Sequence, residues 1–104
     1  MASGYVYLMC DANSDLYKIG VTTGSVEDRM KKLQTGNGNE IHIISYFKSE
    51  KPFRLERTLH KLFYVKNSLN EWFSLGAEDV LNFKETCQKY EDLYKEYEKE
   101  KEKM

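Results

Sequence analysis

Proline occurs once and cysteine twice in the 104 residues, and no apolar run approaches the roughly 18 residues that a membrane helix needs. Cys10 and Cys87 stand far apart and in no CxxC spacing, which excludes a disulfide framework and a zinc site. The opening MASGYVYLMC has neither a basic leader nor a sustained apolar segment, so no signal peptide is expected and the chain reads as intracellular, with no membrane partner. No internal repeat, zinc finger, helix-turn-helix motif or strongly basic arm is visible. The net charge of −1 argues against strong nonspecific binding to nucleic acid. Residues 1–75 carry ten Lys/Arg against eight Asp/Glu, and residues 76–104 six against nine, so a mildly basic body precedes an acidic tail.

What is present is a chain of one-domain length with enough apolar and aromatic residues to bury a core. Residues 5–20, YVYLMCDANSDLYKIG, form two alternating runs around the polar break ANSD, the pattern of a β-hairpin. With Asp11 opposite Leu16, Tyr7 falls opposite Gly20 and Lys18 lies on the nearest diagonal. Parity then puts Val6, Leu8, Cys10, Tyr17, Ile19 and Val21 on a core face. Tyr5, Tyr7, Met9, Lys18, Gly20 and Thr22 share the other face, where a glycine opposite a tyrosine is expected to leave open space.

SVEDRMKKL (residues 25–33) predicts a helix capped by Ser25, with Val26, Met30 and Leu33 buried and Arg29 bordering that stripe. IHIISYF (41–47) is a strand, apolar on both faces. SEKPFRLERTLHKLF (49–63) predicts a helix capped by Ser49 with Pro52 in its first turn, and Glu56 and His60 one turn apart at the edge of its apolar arc. KNSLN reads as a turn and EWFSL as a short strand or extended segment. From about Glu78 the pattern is helical to the end. Val80, Phe83, Cys87, Tyr90, Tyr94 and Tyr97 recur at heptad-like spacing. That seam either docks on the sheet or pairs with a second copy. Tyrosine and cysteine are poor seam residues, so docking and a monomer rather than a homodimer are expected.

A tyrosine, two cations and one carboxylate suit metal-assisted phosphoryl transfer. Magnesium accepts a single protein carboxylate because it keeps waters and takes substrate phosphate oxygens, while cations offset charge developing on phosphorus oxygens. The order and spacing of these groups resembles the GIY-YIG endonucleases. Tyr5-Val6-Tyr7 and Lys18-Ile19-Gly20 stand ten residues apart where that family has its two strand motifs, Arg29 follows in the first helix, and Glu56 lies on a later helix. LERTLHKLF followed by NEWF looks like the phage and virus branch, with its KIG second motif, ExxxH helix and closing EWF. The resemblance covers residues 4–75. Two positions depart from the pattern, with Tyr5 in place of the first glycine and Lys18 in place of the second tyrosine.

The resemblance implies an α+β fold, a small three-stranded antiparallel sheet with the hairpin first, flanked by helices over residues 1–75; the apolar spacing and charge beyond it predict a long acidic C-terminal helix over 76–104, docked on that domain. The resemblance also implies a DNA endonuclease using one Mg²⁺ or Mn²⁺ held by Glu56. Tyr7, with its pKa lowered by Lys18 and Arg29, would help deprotonate water, and His60 would orient a metal water or transfer a proton. Tyr5, Gly20, Lys32 and Asn70 would contact substrate, Gly20 making room for the phosphodiester. A separate DNA-binding partner protein is expected, because few phosphate contacts are available unless Arg29, Lys31, Lys32, Arg54, Arg57 and Lys61 share a face. The two departures leave open a second reading, a weak or inactive module that binds nucleic acid or a protein.

Overall fold

The alternation around ANSD folds as a hairpin in the expected register. In the computed structural model, which describes residues 3–103, β1 (Gly4–Asp11) and β2 (Tyr17–Thr22) run antiparallel with Tyr7 opposite Gly20 and Cys10 opposite Tyr17. Residues 1–2 and 104, at the outer ends of the two expected segments, lie outside the described residues. The Asp11 amide donates to the Leu16 carbonyl at 3.0 Å, and Asp15 takes φ 57°, a left-handed turn that aspartate tolerates. On the other side of β1 lies β3 (Ile41–Ser49), also antiparallel, with Ile44 as an extra residue where the register shifts.

The sheet has five strands, not three. KNSLNEWF forms a second, tighter hairpin of β4 (Asn67–Leu69) and β5 (Trp72–Phe73), giving the order β3-β1-β2-β5-β4. Asn70 turns this hairpin at φ 53°, and the Asn67 side-chain amide donates to the carbonyls of Asn70 (2.6 Å) and Trp72 (3.2 Å). Strands of two and three residues carry too little alternation to be told from a turn in sequence.

Helix α1 (Val26–Thr35) is capped as expected, Ser25 Oγ accepting from the Asp28 amide at 3.0 Å. Helix α2 (Pro52–Leu62) begins later than expected. Ser49 ends β3 and is not its N-cap, because its buried hydroxyl accepts from the Lys51 amide (3.0 Å) and donates to Glu91 (2.8 Å). The expected continuous terminal helix is broken at Asn82 into α3 (Ala77–Leu81) and α4 (Phe83–Glu102), turning Phe83 into the core. Among the described residues no helix is long and apolar enough to cross a membrane.

Each sheet face covers a core. Val6, Leu8 and Ile19 pack with Leu55 and Leu59 of α2 and with Phe83 and Cys87 of α4, as parity requires. The opposite face is not the open floor expected: Tyr7, Met9, Val26 and Ile41 form a second core closed by Met30, Leu33 and Trp72. Helix α4 docks along its tyrosine seam, with Tyr90 and Tyr94 against the first core. Buried Glu91 accepts from Ser49 Oγ and the Glu50 amide (2.9 Å), and Glu98 pairs with Lys51 (3.0 Å). Cys87 is fully buried here, and burial pushes its thiol up to about 12. Iodoacetamide at mildly alkaline pH should therefore leave Cys87 unmodified in the folded protein and alkylate it in urea. Native labelling of Cys87 as fast as that of the partly exposed Cys10 would mean that α4 does not stay docked.

Candidate active site at the open edge of strand β2

Strand β5 pairs with β2 only at Tyr17 and Lys18, and the Ile19 amide then donates to the Glu71 carbonyl at 3.2 Å. Beyond that point no strand among the described residues covers this edge of β2. A ring nitrogen of His60 takes the next backbone group instead, Nε2 lying 2.8 Å from the Ile19 carbonyl oxygen. A carbonyl only accepts, so Nε2 carries the proton, and in the neutral ring Nδ1 keeps the free lone pair. The Phe73 ring braces this imidazole edge-on at 5.0 Å between centroids. The short strand thus opens a gap in the sheet edge where groups from both faces meet.

Tyr7 reaches that gap across Gly20. A Cβ built on Gly20 would overlap the Tyr7 ring and hydroxyl, so the space expected above the glycine is filled by the tyrosine itself. Gly20 makes room for Tyr7, which corrects its expected role of making room for substrate. Arg29 Nε donates to Tyr7 Oη at 3.4 Å, a long bond from the helix on that face. Burial raises the Tyr7 pKa above its ordinary value, Arg29 opposes the shift, and the charges of Glu71 and Glu56 add to it. The expected lowering by Lys18 and Arg29 is therefore overturned by desolvation. Lys18, nearly buried, turns instead to Glu71, with Nζ 2.9 Å from Oε2 and 5.6 Å from the centre of the Trp72 ring.

Glu71, to which the sequence assigns no role, is the third member of the cluster. One oxygen each from Glu56 and Glu71 and one nitrogen of His60 lie within 4.8 Å of one another. Burial raises the Glu56 pKa, the His60 charge opposes this, and the neighbouring Glu71 raises it further. Two facing carboxylates and an imidazole, with one carboxylate uncomfortable in its charged form, match the oxygen-rich donor set that Mg²⁺ or Mn²⁺ accepts. Lys18 forms its direct ion pair with Glu71 and acts on Glu56 only at longer range, so Glu56 has no salt-bridge partner among the described residues. The signal available in sequence was position: Glu71 directly precedes the strand that pairs with Lys18.

Tyr7, Lys18, Gly20, Arg29, Glu56 and His60 therefore converge around one gap. Tyr5 sits further along the same face, edge-on to Tyr46 at 5.8 Å. Lys32 is exposed in the last turn of α1, and Asn70 is an exposed turn residue whose carbonyl serves Asn67. The six helical cations do not form one face, since α1 and α2 pack against opposite faces of the sheet and Arg54 stacks on Tyr94 at 4.1 Å.

Among known protein families, the model of the T5orf172 domain fits residues 4–88. No curated protein and no solved structure matches the chain.

Proposed function

The chain belongs to the T5orf172 domain family, a phage-associated domain of the nuclease-like kind, and on that basis we propose that it is a metal-dependent endonuclease cutting phosphodiester bonds in DNA through a GIY-YIG-type site. The observation that carries this reading is the convergence of Tyr7–Arg29 and Glu56–His60–Glu71 at the open edge of β2. A divalent ion held by Glu56, with Glu71 and His60 beside it, would supply a Lewis acid to the scissile phosphate and offset the carboxylate charge.

The chain's own groups do the rest. Tyr7 Oη is the proton-transfer atom: burial raises its pKa, so it holds its proton at rest and would give it to the departing oxygen, while Arg29 Nε, which donates to Oη, stabilises the phenolate until water returns the proton. Arg29 also offsets negative charge gathering on the phosphorus oxygens. Lys18 is a positioning residue, fixing one oxygen of Glu71. His60 holds its ring through the Ile19 carbonyl, which leaves Nδ1 of the neutral ring as its one uncommitted acceptor.

Nicking of supercoiled plasmid with Mg²⁺ or Mn²⁺, against an EDTA control, tests this reading. Tyr7→Phe keeps the ring over Gly20 and removes only the hydroxyl, so it should slow cutting about a hundredfold, the lower range for a general acid–base group. Absence of cutting by the unaltered protein on duplex, branched and single-stranded DNA would sink the nuclease reading and leave a binding module.

A further inference from the structure

Between the two site carboxylates, residues 57–70 contain no Asp or Glu, in a chain that has 17 of them. This stretch carries Arg57, Lys61 and Lys66 and leaves the apolar groups of Tyr64 (75% exposed) and Val65 (87%) in solvent. Their exposure is not looseness. The turn that holds them is a 3₁₀ helix (Tyr64–Lys66) fixed from both sides: Phe63 is buried in the first core, the Ser74 amide donates to the Lys66 carbonyl at 2.8 Å, and Lys66 Nζ is tied to Asp79. An aromatic displayed to water from a fixed backbone buries little of its ring in the fold and has only its own side-chain torsions to order on binding.

Arg57 and Lys61 lie one turn apart on one side of α2, and Tyr64 opens the 3₁₀ turn that follows Phe63 directly after the helix. All three are exposed, and neither Arg57 nor Lys61 has a carboxylate partner among the described residues. Glu56 and His60 are each the residue just before one of these cations, which places the stripe about 100° around the helix from the site.

We propose that Arg57, Lys61 and Tyr64 form a track for single-stranded nucleic acid, the two cations on its phosphates and the Tyr64 ring as a stacking platform for one unpaired base. Charge complementarity favours this occupant, since two uncompensated cations beside an exposed aromatic are the pairing such strands use. A duplex keeps its base faces inside the stack and offers Tyr64 no partner. The track deepens the nuclease reading, because it would lead an unpaired strand to the gap at β2, but its binding can be measured without cleavage.

The test uses the full chain in EDTA, with fluorescence anisotropy of a fluorescein-labelled oligothymidylate and of a blunt duplex of equal length. Tyr64→Ala should weaken oligothymidylate binding about tenfold, Tyr64→Trp should preserve it, and duplex binding should change little in either. Arg57→Ala and Lys61→Ala should each lower the slope of log affinity against log salt by about 0.7. Equal binding by Tyr64→Ala and the unaltered protein, equal losses on duplex and single strand, or no oligothymidylate binding at all would overturn the track. So would loss of self-association in Tyr64→Ala with nucleic-acid binding intact, which would give the surface to a second copy. Plasmid nicking that persists alongside a failed track leaves the nuclease reading standing, and Tyr64-dependent binding without nicking does the reverse.

Discussion

Glu56→Gln is expected to lower metal-dependent cutting by about a thousandfold, equivalent to roughly 4 kcal/mol of barrier and in line with loss of a Lewis acid. The same change should raise the melting temperature of the metal-free protein. Burial and Glu71 lift the Glu56 pKa in the folded state, so the folded protein holds that proton more tightly than the unfolded chain. The resulting stabilisation is fully present below the unfolded pKa and is lost as pH rises through the folded pKa; at neutral pH the charged form is a burden that glutamine removes. Added Mg²⁺ or Mn²⁺ should stabilise the unaltered protein against heat and leave Glu56→Gln unmoved. An active Glu56→Gln enzyme, or identical metal-induced shifts in both proteins, would remove Glu56 from the metal site. Activity gained at the expense of stability is the usual signature of a working site rather than of a structural ion pair.

Gly20→Ala should cost about 1–3 kcal/mol of stability, as overpacking of a well-filled core does. It should also reduce cutting at least as far as Tyr7→Phe. The new methyl group falls on the Tyr7 ring and hydroxyl, so the ring must leave its place and take Oη away from Arg29. Urea denaturation of a double-mutant cycle with Tyr7→Ala separates this from a backbone effect. Once the ring is gone, Gly20→Ala should add little further destabilisation. Full additivity in the cycle, or a fully active and stable Gly20→Ala protein, would contradict the packing of Tyr7 over Gly20.

The hairpin was readable from the sequence because period-two alternation and a short polar loop fix register without help from the rest of the chain. Tyr7 opposite Gly20 and the division of side chains between faces follow directly. The same parity does not say how far a side chain leans, and the pair that suggested a vacancy is a tyrosine lying over its glycine. Nor does parity weigh solvation: two cations near Tyr7 were visible in the sequence, but its burial under α1, which decides the direction of its pKa, is a tertiary fact. Glu56 and His60 announced themselves by helical spacing. Glu71 did not, since it reaches the site through the pairing of β5 with β2, a contact between segments far apart in the chain and only two residues long. Ser49 looked like a helix cap because serine before a proline-containing first turn usually is one, and the buried carboxylate of Glu91 drew its hydroxyl elsewhere.

The His60 bond to the Ile19 carbonyl carries a consequence for solubility. A sheet that stops short exposes a ladder rung to which a foreign strand can add, and natural proteins blunt such edges with bulky or polar obstructions. Here one imidazole occupies the first unpaired carbonyl of β2 and stands where an incoming backbone amide would dock. The gap proposed here for substrate is thereby obstructed to an incoming strand, and on the nuclease reading a chain lacking this ring is expected to be more adhesive as well as less active.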